Sequence, residues 1–284
     1  MNDERLSALL AEGSLQPNLS QEGFVALWER ACVNRVDVML ATILLPSLER
    51  IPAAAGRQVV SRLREAQVVE MLRHRELCRL AAAFKADDID VLLLKGAGLA
   101  YTAYAQPHLR PADDIDLLIR RDALGMAERA LLACGYERAH EPDAELASSQ
   151  RHYVHREKKA ILPWVDLHWR VANPQLFIDA LSFDDAWASS VDVPSLGSHG
   201  ARTLGVADAL LLGCVHRVAH HQDRPDLLWL WDVHLLAQRM TFNDEELLLR
   251  RAEQNRMRAV AVRGLELARD RFRTKVRACQ TIID

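Results

Sequence analysis

The segment from Val91 to Ile119, VLLLKGAGLAYTAYAQPHLRPADDIDLLI, limits the fold of this chain more than any other part of the sequence. It opens with four apolar residues, a run that is too short for a buried helix and suited to a buried strand. Lys95 and Gly96 follow at the point where this strand would turn into a helix, which we predict over Gly98–Ala105. The chain becomes apolar again at Ile115. We therefore expect a strand, a short helix and a second strand in close succession.

Two carboxylates lie inside the second predicted strand. Alternate residues of a strand face the same side, so Asp114 and Asp116 project together while Ile115 and Leu117 enter the core. Two strand steps separate the Cα atoms of the aspartates by about 6.5 Å. Mg²⁺ prefers hard oxygen ligands and is usually held by a few carboxylates and substrate phosphates. The pattern therefore predicts a divalent-metal site on this strand.

The predicted strand-to-helix turn complements the carboxylates. Glycine allows a ligand to approach the backbone closely, and a helix N-terminus offers free N–H groups to a phosphate. We therefore assign nucleotide binding to Lys95, Gly96 and Ala97. Arg110 either neutralises a phosphate or forms a salt bridge with Asp113, and the sequence leaves both open.

These motifs resemble the signature of the polymerase-β-like nucleotidyltransferase superfamily. More narrowly, LLLKGAGLA…YAQPHLRPADDIDLLI is similar to an uncharacterised bacterial nucleotidyltransferase family whose signature is approximately LLKGAALA…YP…R…DIDLLV. That family also has a V-D-L-H-W element, which residues 165–169 match, and an H-x-x-x-H helix followed by L-x-W-x-x-D, which residues 216–232 match. The resemblance spans about residues 75–240. Many superfamily members have Gly-Gly or Gly-Ser at the turn, where this chain has Gly96-Ala97.

The resemblance implies transfer of a nucleoside monophosphate from an NTP, expected to be ATP, to an acceptor nucleophile with release of pyrophosphate. Asp114, Asp116 and Asp166 would hold two Mg²⁺ ions, and Asp166 would help to deprotonate the acceptor. If the strand predicted over Ile161–Trp169 lies beside the Asp114 strand, the three carboxylates converge. Candidate substrate-binding residues are His168, His216, His220 and Asp232. Histidines spaced like His216 and His220 share one helix face, where core hydrogen bonding is the alternative role.

We predict an α+β fold, in which a small mixed β-sheet nucleotidyltransferase core is flanked by helical N- and C-terminal regions. The expected boundaries are 1–86 for the N-terminal helical region, 87–172 for the core and 173–284 for the C-terminal helical region. Half of the residues are hydrophobic and 26% are charged, which is typical of a globular chain. Asp122 and Thr203 are predicted N-caps of helices.

Composition excludes few partners. The net charge of −3 gives no global argument for binding nucleic acid or a membrane surface. No stretch approaches the roughly 20 apolar residues that span a membrane, and the acidic start lacks the apolar run of a signal peptide. The five cysteines are scattered and lack a C-x-x-C pair, so we expect reduced thiols and a cytoplasmic protein. Neither the acceptor nor the oligomeric state follows from the sequence.

Three alternatives compete with this hypothesis. A toxin-type nucleotidyltransferase acting on tRNA shares the K-G and D-x-D motifs, and the segment 250–277 has ten basic residues against three acidic ones. We favour a solvated amphipathic helix as the interpretation of that segment. A metal phosphohydrolase would need an adjacent His-Asp pair, but His221 is followed by Gln222. A non-catalytic binding module with the same fold is disfavoured by the intact carboxylates.

Overall fold

A computed structural model describes residues 3–15, 18–139, 148–157, 162–197 and 200–274. One mixed β-sheet lies within the chain, with helices against both of its faces. In these ranges the strands are β1 (Val91–Leu93), β2 (Asp114–Ile119), β3 (Tyr136–Arg138), β4 (Gln150–His155), β5 (Trp164–His168), β6 (Val191–Asp192) and β7 (Arg202–Thr203). Together they form a seven-stranded sheet in the order β3-β4-β5-β2-β1-β7-β6.

The helices precede, interrupt and follow the strands. Those of the described ranges are α1 (Asp3–Glu12), α2 (Gln21–Val33), α3 (Asp37–Leu44), α4 (Ala53–Ala86), α5 (Lys95–Thr102), α6 (Leu124–Ala133), α7 (Phe183–Ala188), α8 (Val206–His221), α9 (Leu227–Arg239), α10 (Phe242–Gln254) and α11 (Arg258–Phe272). None of these helices has both the length and the apolar content needed to cross a membrane. The predicted α+β architecture, a mixed sheet between helical regions, is confirmed.

Strand β2 occupies the middle of the sheet and fixes its register. It pairs antiparallel with β1 on one side and parallel with β5 on the other. In the parallel pair Asp116 lies opposite Asp166, and Leu118 lies opposite His168. The D-I-D motif and the V-D-L-H-W motif therefore lie side by side on neighbouring strands.

The period-two pattern of β2 separates two hydrophobic clusters. Ile115, Leu117 and Ile119 pack on one face of the sheet with residues of α4 and α6. Leu118 belongs to the other cluster, which includes residues of the N-terminal helices and of α8, α9 and α11. Asp114 and Asp116 share the face of Leu118, so the carboxylates point toward the side covered by the terminal regions.

Helices from the two ends of the chain contact each other directly. The helix α1 packs against α11, and α8 packs against α9. The side-chain oxygen of Asn34, which follows α2, accepts a hydrogen bond of 3.1 Å from the backbone N–H of Leu227, the first residue of α9. The N-terminal region therefore helps to position the start of α9.

Several local expectations differ from the structure. Helix α5 begins at Lys95 and ends at Thr102, three residues before the predicted limits at each end. Asp122 lies in a 3₁₀ turn ahead of α6 and makes no capping bond to that helix. Thr203 belongs to β7, where its hydroxyl bonds Leu93, and Gly205 is the N-cap of α8.

The two-residue strands β6 and β7 lie in a segment that we interpreted as helical, because two residues cannot show a period of two. Predicted strands over 136–140 and 161–169 correspond to β3 and β5. Their residues His140 and Ile161 lie outside the described ranges, as does the end of the basic segment. The division of the chain at residues 86 and 172 stays a prediction.

Candidate active site

A cavity of about 310 Å³ opens on the face of the sheet that carries the aspartates. Its lining residues come from many parts of the chain, from Arg35 in the turn after α2 to Asp232 in α9. Its ionisable lining residues are Arg35, Lys95, Arg110, Asp114, Asp116, Asp166, His216, His220, His221 and Asp232. The volume is within the range of small-molecule sites in proteins.

Asp116 and Asp166 form the floor of this cavity. They are adjacent on parallel strands, and only 3% and 9% of their surfaces are exposed. Ligand atoms of Asp116, Asp166 and His168 all lie within 4.8 Å of one another. The three side chains are therefore close enough to share one cation, and Asp114, the third predicted metal ligand, is not part of this group. His168 was predicted to face substrate, but its Nε2 lies 2.7 Å from Oδ1 of Asp116, and His168 is itself 2% exposed.

The Lys95 ammonium lies among the carboxylates. Its Nζ donates to Oδ1 of Asp116 at 2.7 Å. Lys95 has a φ of +48°, in the left-handed region that non-glycine residues rarely adopt, and it begins α5. Burial opposes the charged form of Lys95, but the Asp116 carboxylate outweighs burial and raises the pKa of the lysine. Burial likewise opposes ionisation of Asp116, but Lys95 and the His168 hydrogen bond hold the pKa of Asp116 below its usual range.

Asp114 lies at the rim of the same cavity, two residues before Asp116. Burial, with the neighbouring Asp116 and Asp166 carboxylates, raises the pKa of Asp114 to about 6. Three carboxylates on one sheet face repel one another unless a cation lies between them. Lys95 supplies one such cation, and the carboxylate oxygens have the chemistry that Mg²⁺ prefers, while His168 adds a ring nitrogen to the group that can share a cation. The donor set therefore fits the predicted metal.

A histidine that the sequence did not single out supports Asp166. His152 lies opposite Asp166 in the antiparallel pair of β4 and β5, and its Nδ1 is 2.6 Å from Oδ1 of Asp166. Nε2 of His152 is in turn 3.0 Å from the side-chain nitrogen of Gln150, which lines the cavity. Such a pair orients the carboxylate toward the cavity. The strand 150–155 alternates poorly, and its only strand signal is the β-favouring pair Tyr153 and Val154.

The turn residues differ in what they offer to a ligand. Gly96 lines the cavity, but a Cβ at this position would meet the Cβ of Ala112 at 2.9 Å and Nη1 of Arg110 at 3.1 Å. The absence of a side chain there is required for packing against residues 110–112, whatever a phosphate requires. Ala97 was predicted to bind nucleotide, but its side chain is 1% exposed and packs in the hydrophobic cluster. Only its backbone N–H, at the first turn of α5, remains to contact a phosphate.

The two predicted residues Arg110 and Asp232 bind each other. Arg110 donates from Nε to Oδ1 at 2.8 Å and from Nη2 to Oδ2 at 2.7 Å, a two-point contact with Asp232. The Tyr104 hydroxyl donates to the same carboxylate at 2.6 Å. Nη1 of Arg110 donates to the carbonyl of the following residue, Pro111. Asp113 instead pairs with Arg35, so of the two alternatives left open for Arg110 the salt bridge with Asp113 is not formed.

The predicted histidines lie on the wall contributed by α8. His216 and His220 both line the cavity, with ring centroids 5.2 Å apart. Nε2 of His216 lies 3.0 Å from Nε2 of His221, and the His221 ring stacks on Trp229 at 3.9 Å. Burial lowers the pKa of His216 well below its usual value and lowers that of His220 to about 4, with Lys95 adding to both effects. The wall is therefore neutral, polar and aromatic at physiological pH.

Among the ionisable and aromatic residues that line the cavity, the sequence interpretation did not assign Arg35, His221 or Trp229 to the site. It also missed His152, which contacts Asp166. His221 was considered only for a phosphohydrolase. Trp229 is in the family's L-x-W-x-x-D pattern, which was the available signal. Arg35 precedes every recognised motif, and nothing in its neighbourhood of the sequence predicts a site.

Comparison with known proteins gives one extended match. A protein family described as "Uncharacterised nucleotidyltransferase" matches residues 25–273 of this chain. No curated protein matches it.

Two solved structures resemble the chain weakly. One is the antibiotic-resistance factor ANT(2'')-Ia, with 14% identity and a TM-score of 0.45 over 69% of this chain and 95% of that one. The other is JHP933 from Helicobacter pylori, with 14% identity and a TM-score of 0.37 over 73% of this chain and 92% of that one.

Proposed function

Because this chain belongs to the uncharacterised nucleotidyltransferase family, we propose that it transfers a nucleoside monophosphate from an NTP to an acceptor hydroxyl. The new bond joins the acceptor oxygen to the α-phosphorus, the bond from that phosphorus to the β-phosphate bridging oxygen breaks, and pyrophosphate leaves. The observation that carries the proposal is the register of β2 and β5, which sets Asp116 beside Asp166 under a cavity that Asp114 and Lys95 also line.

Asp114, Asp116 and Asp166 would hold Mg²⁺ in this proposal. When bound, the metal neutralises phosphate charge and aligns the attacking and leaving oxygens. Mg²⁺ is usually bound by a few carboxylates together with phosphate oxygens of the substrate. A nucleotide would therefore supply the remaining ligands of a metal bound to these carboxylates.

The protein's own groups bind and orient the reactants. Lys95 and the free N–H groups of the first turn of α5 face the triphosphate, as a helix N-terminus does for anions. Asp166 accepts the proton of the acceptor hydroxyl, and His152 holds that carboxylate in place through its 2.6 Å hydrogen bond. Such transfers depend mainly on positioning and electrostatics.

Arg110 and Asp232 act on the substrate through each other. Their two-point ion pair fixes the loop 110–112 against α9 and thereby shapes the cavity wall. His216 and His220, which are neutral at physiological pH, offer ring nitrogens to polar groups of the acceptor or the base. We propose ATP as the donor. The thiols of the described cysteines, which form no disulfide, support a cytoplasmic location.

The test uses NTPs labelled at the α-phosphate. The protein is incubated with each labelled NTP, Mg²⁺ and a cell extract, and the small-molecule, RNA and protein fractions are then separated. We expect the α-label to appear in one fraction. A parallel reaction with the γ-labelled NTP should transfer no label, and the matched Asp166→Asn variant should transfer none from either NTP. Label in tRNA would identify the toxin-type alternative. No α-label in any fraction with any NTP would contradict the proposal and favour a non-catalytic binding module.

A further inference from the structure

Arg35 brings a positive charge from the N-terminal helices to the cavity. It lines the cavity and follows α2 in the turn Asn34-Arg35-Val36. The backbone N–H of Val36 bonds the carbonyl of Ala31 and that of Arg35 bonds Cys32, which closes the helix with a left-handed residue at a φ of +58°. Glycine is the usual residue at such a position. The turn therefore fixes the Cα of Arg35 without requiring its side chain.

Arg35 differs from the other cations of the cavity in its partner. Among the described lining residues, Lys95 and Arg110 are bonded to Asp116 and Asp232, carboxylates whose side chains are 4% and 6% exposed. Arg35 is paired at 2.7 Å with Asp113, whose side chain is 89% exposed. An ion pair with so exposed a partner is weak and readily exchanged. Arg35 is thus the lining cation that can leave its carboxylate at little cost.

The charges of a bound nucleotide require such a cation. Lys95 is shared with the carboxylates, and the histidines of the wall have lowered pKa values and add no positive charge. A guanidinium binds phosphate oxygens through two parallel hydrogen bonds, more strongly than it binds a solvated carboxylate.

We propose that Arg35 is a pyrophosphate-binding residue. Its guanidinium breaks the ion pair with Asp113 and binds the β- and γ-phosphates of the nucleotide, and then the departing pyrophosphate. The inference rests on the proposed function and adds a residue from outside the sheet. The 3.1 Å bond between Asn34 and Leu227 holds the turn against α9, so the guanidinium reaches the cavity from a fixed point. Asp113 acts as its resting partner.

The experiment measures binding of Mg-ATP, Mg-pyrophosphate and AMP by titration calorimetry. The test variant is Arg35→Gly, because glycine suits the left-handed turn and removes only the cation. The matched control is Arg30→Gln, in the last turn of the helix that precedes Arg35. Arg30 is also half-exposed and paired with a carboxylate, that of Asp3, but it does not line the cavity. Arg35→Gln is the second variant, should the turn respond to glycine.

We expect Arg35→Gly to retain the melting temperature and the AMP affinity of the wild type and to bind pyrophosphate and ATP about tenfold more weakly, as loss of charged hydrogen bonds predicts. Asp113→Asn should bind pyrophosphate as tightly as the wild type or more tightly. Unchanged pyrophosphate affinity in both Arg35 variants, or an equal loss for AMP, would overturn the inference alone. A wild type that binds neither ATP nor pyrophosphate would contradict the proposed function itself.

Discussion

At the scale of single residues, Lys95 controls the charge balance of the carboxylate site. Its ammonium and Nε2 of His168 both contact Oδ1 of Asp116, each at 2.7 Å. The Asp116 side chain is 4% exposed, so water compensates little for the loss of either partner. In the protein without a bound metal, Lys95 thus neutralises part of the carboxylate charge that a metal would otherwise neutralise.

Lys95→Met should therefore lower the free energy of unfolding of the metal-free protein by about 3 kcal/mol, because it leaves a buried carboxylate with one partner fewer. Urea unfolding measures this loss, and added Mg²⁺ should restore part of it. Lys85→Met, at an exposed position near the end of α4, is the matched control and should change little. Equal stability of the Lys95 variant and the wild type would show that the pair carries no net energy.

At the scale of secondary-structure elements, α5 lies against β7 at one glycine. A Cβ at Gly98 would meet Oγ1 of Thr203 at 2.1 Å and the carbonyl oxygen of Leu93 at 3.2 Å. The same hydroxyl donates to that carbonyl at 2.8 Å. The close approach holds the first turn of α5 where its N–H groups reach the cavity.

Gly98→Ala should consequently destabilise the fold by about 1–3 kcal/mol through overpacking, as measured by urea unfolding. Gly125→Ala in α6 is the matched control: its nearest neighbour is 3.8 Å away, and alanine should be neutral or stabilising by up to ~1 kcal/mol. Adding Thr203→Ala should recover part of the Gly98→Ala loss. A Gly98→Ala protein as stable as the Gly125→Ala protein would show that α5 shifts freely.

The elements built from long local patterns were predictable. The alternation in β2 assigned Ile115 and Leu117 to the core and Asp114 and Asp116 to the opposite face, as the two hydrophobic clusters show. The V-D-L-H-W element was likewise predicted to be a strand. Its place beside β2 was a condition of that prediction, and the structure supplies the pairing of Asp116 with Asp166.

Contacts set by tertiary packing were not predictable. Arg110 had one plausible partner nearby in the sequence, Asp113, yet it binds Asp232, 122 residues away. Arg35 reaches the cavity because α2 packs beside the start of α9, which no motif encodes. The strands β6 and β7 are too short to carry a pattern, and their place in the sheet is fixed because β7 pairs with β1 and β6 pairs with β7. Function-bearing geometry of this kind depends on the assembled chain.

At the scale of the whole molecule, the pair of Arg110 and Asp232 ties the sheet region to the C-terminal helices. Both side chains are less than a tenth exposed, at 7% and 6%. Removing one partner leaves the other charge buried and uncompensated. The surroundings of the pair disfavour a further negative charge, since burial and the Asp232 carboxylate raise the pKa of Tyr104 well above its usual value.

Arg110→Met and Asp232→Asn should each cost about 3 kcal/mol of stability, and the double variant should cost about 2 kcal/mol less than the sum. A double-mutant cycle by urea unfolding measures the coupling. The exposed pair of Arg170 and Asp179, at 2.9 Å, is the control and should couple by less than ~1 kcal/mol. Equal coupling in both cycles would mean that the buried pair does not join the two regions.

The measurement that tests the central claim most directly is the melting temperature of the wild type and of Asp116→Asn, each with and without Mg-ATP. The variant keeps the size of the side chain and removes the charge that would hold the metal. Linkage predicts that the wild type gains about 5 °C at a ligand concentration a hundredfold above its Kd. The variant should gain less than about a quarter of that. An equal gain in both proteins would contradict the assignment of Asp116 as a metal ligand and the transfer mechanism built on it.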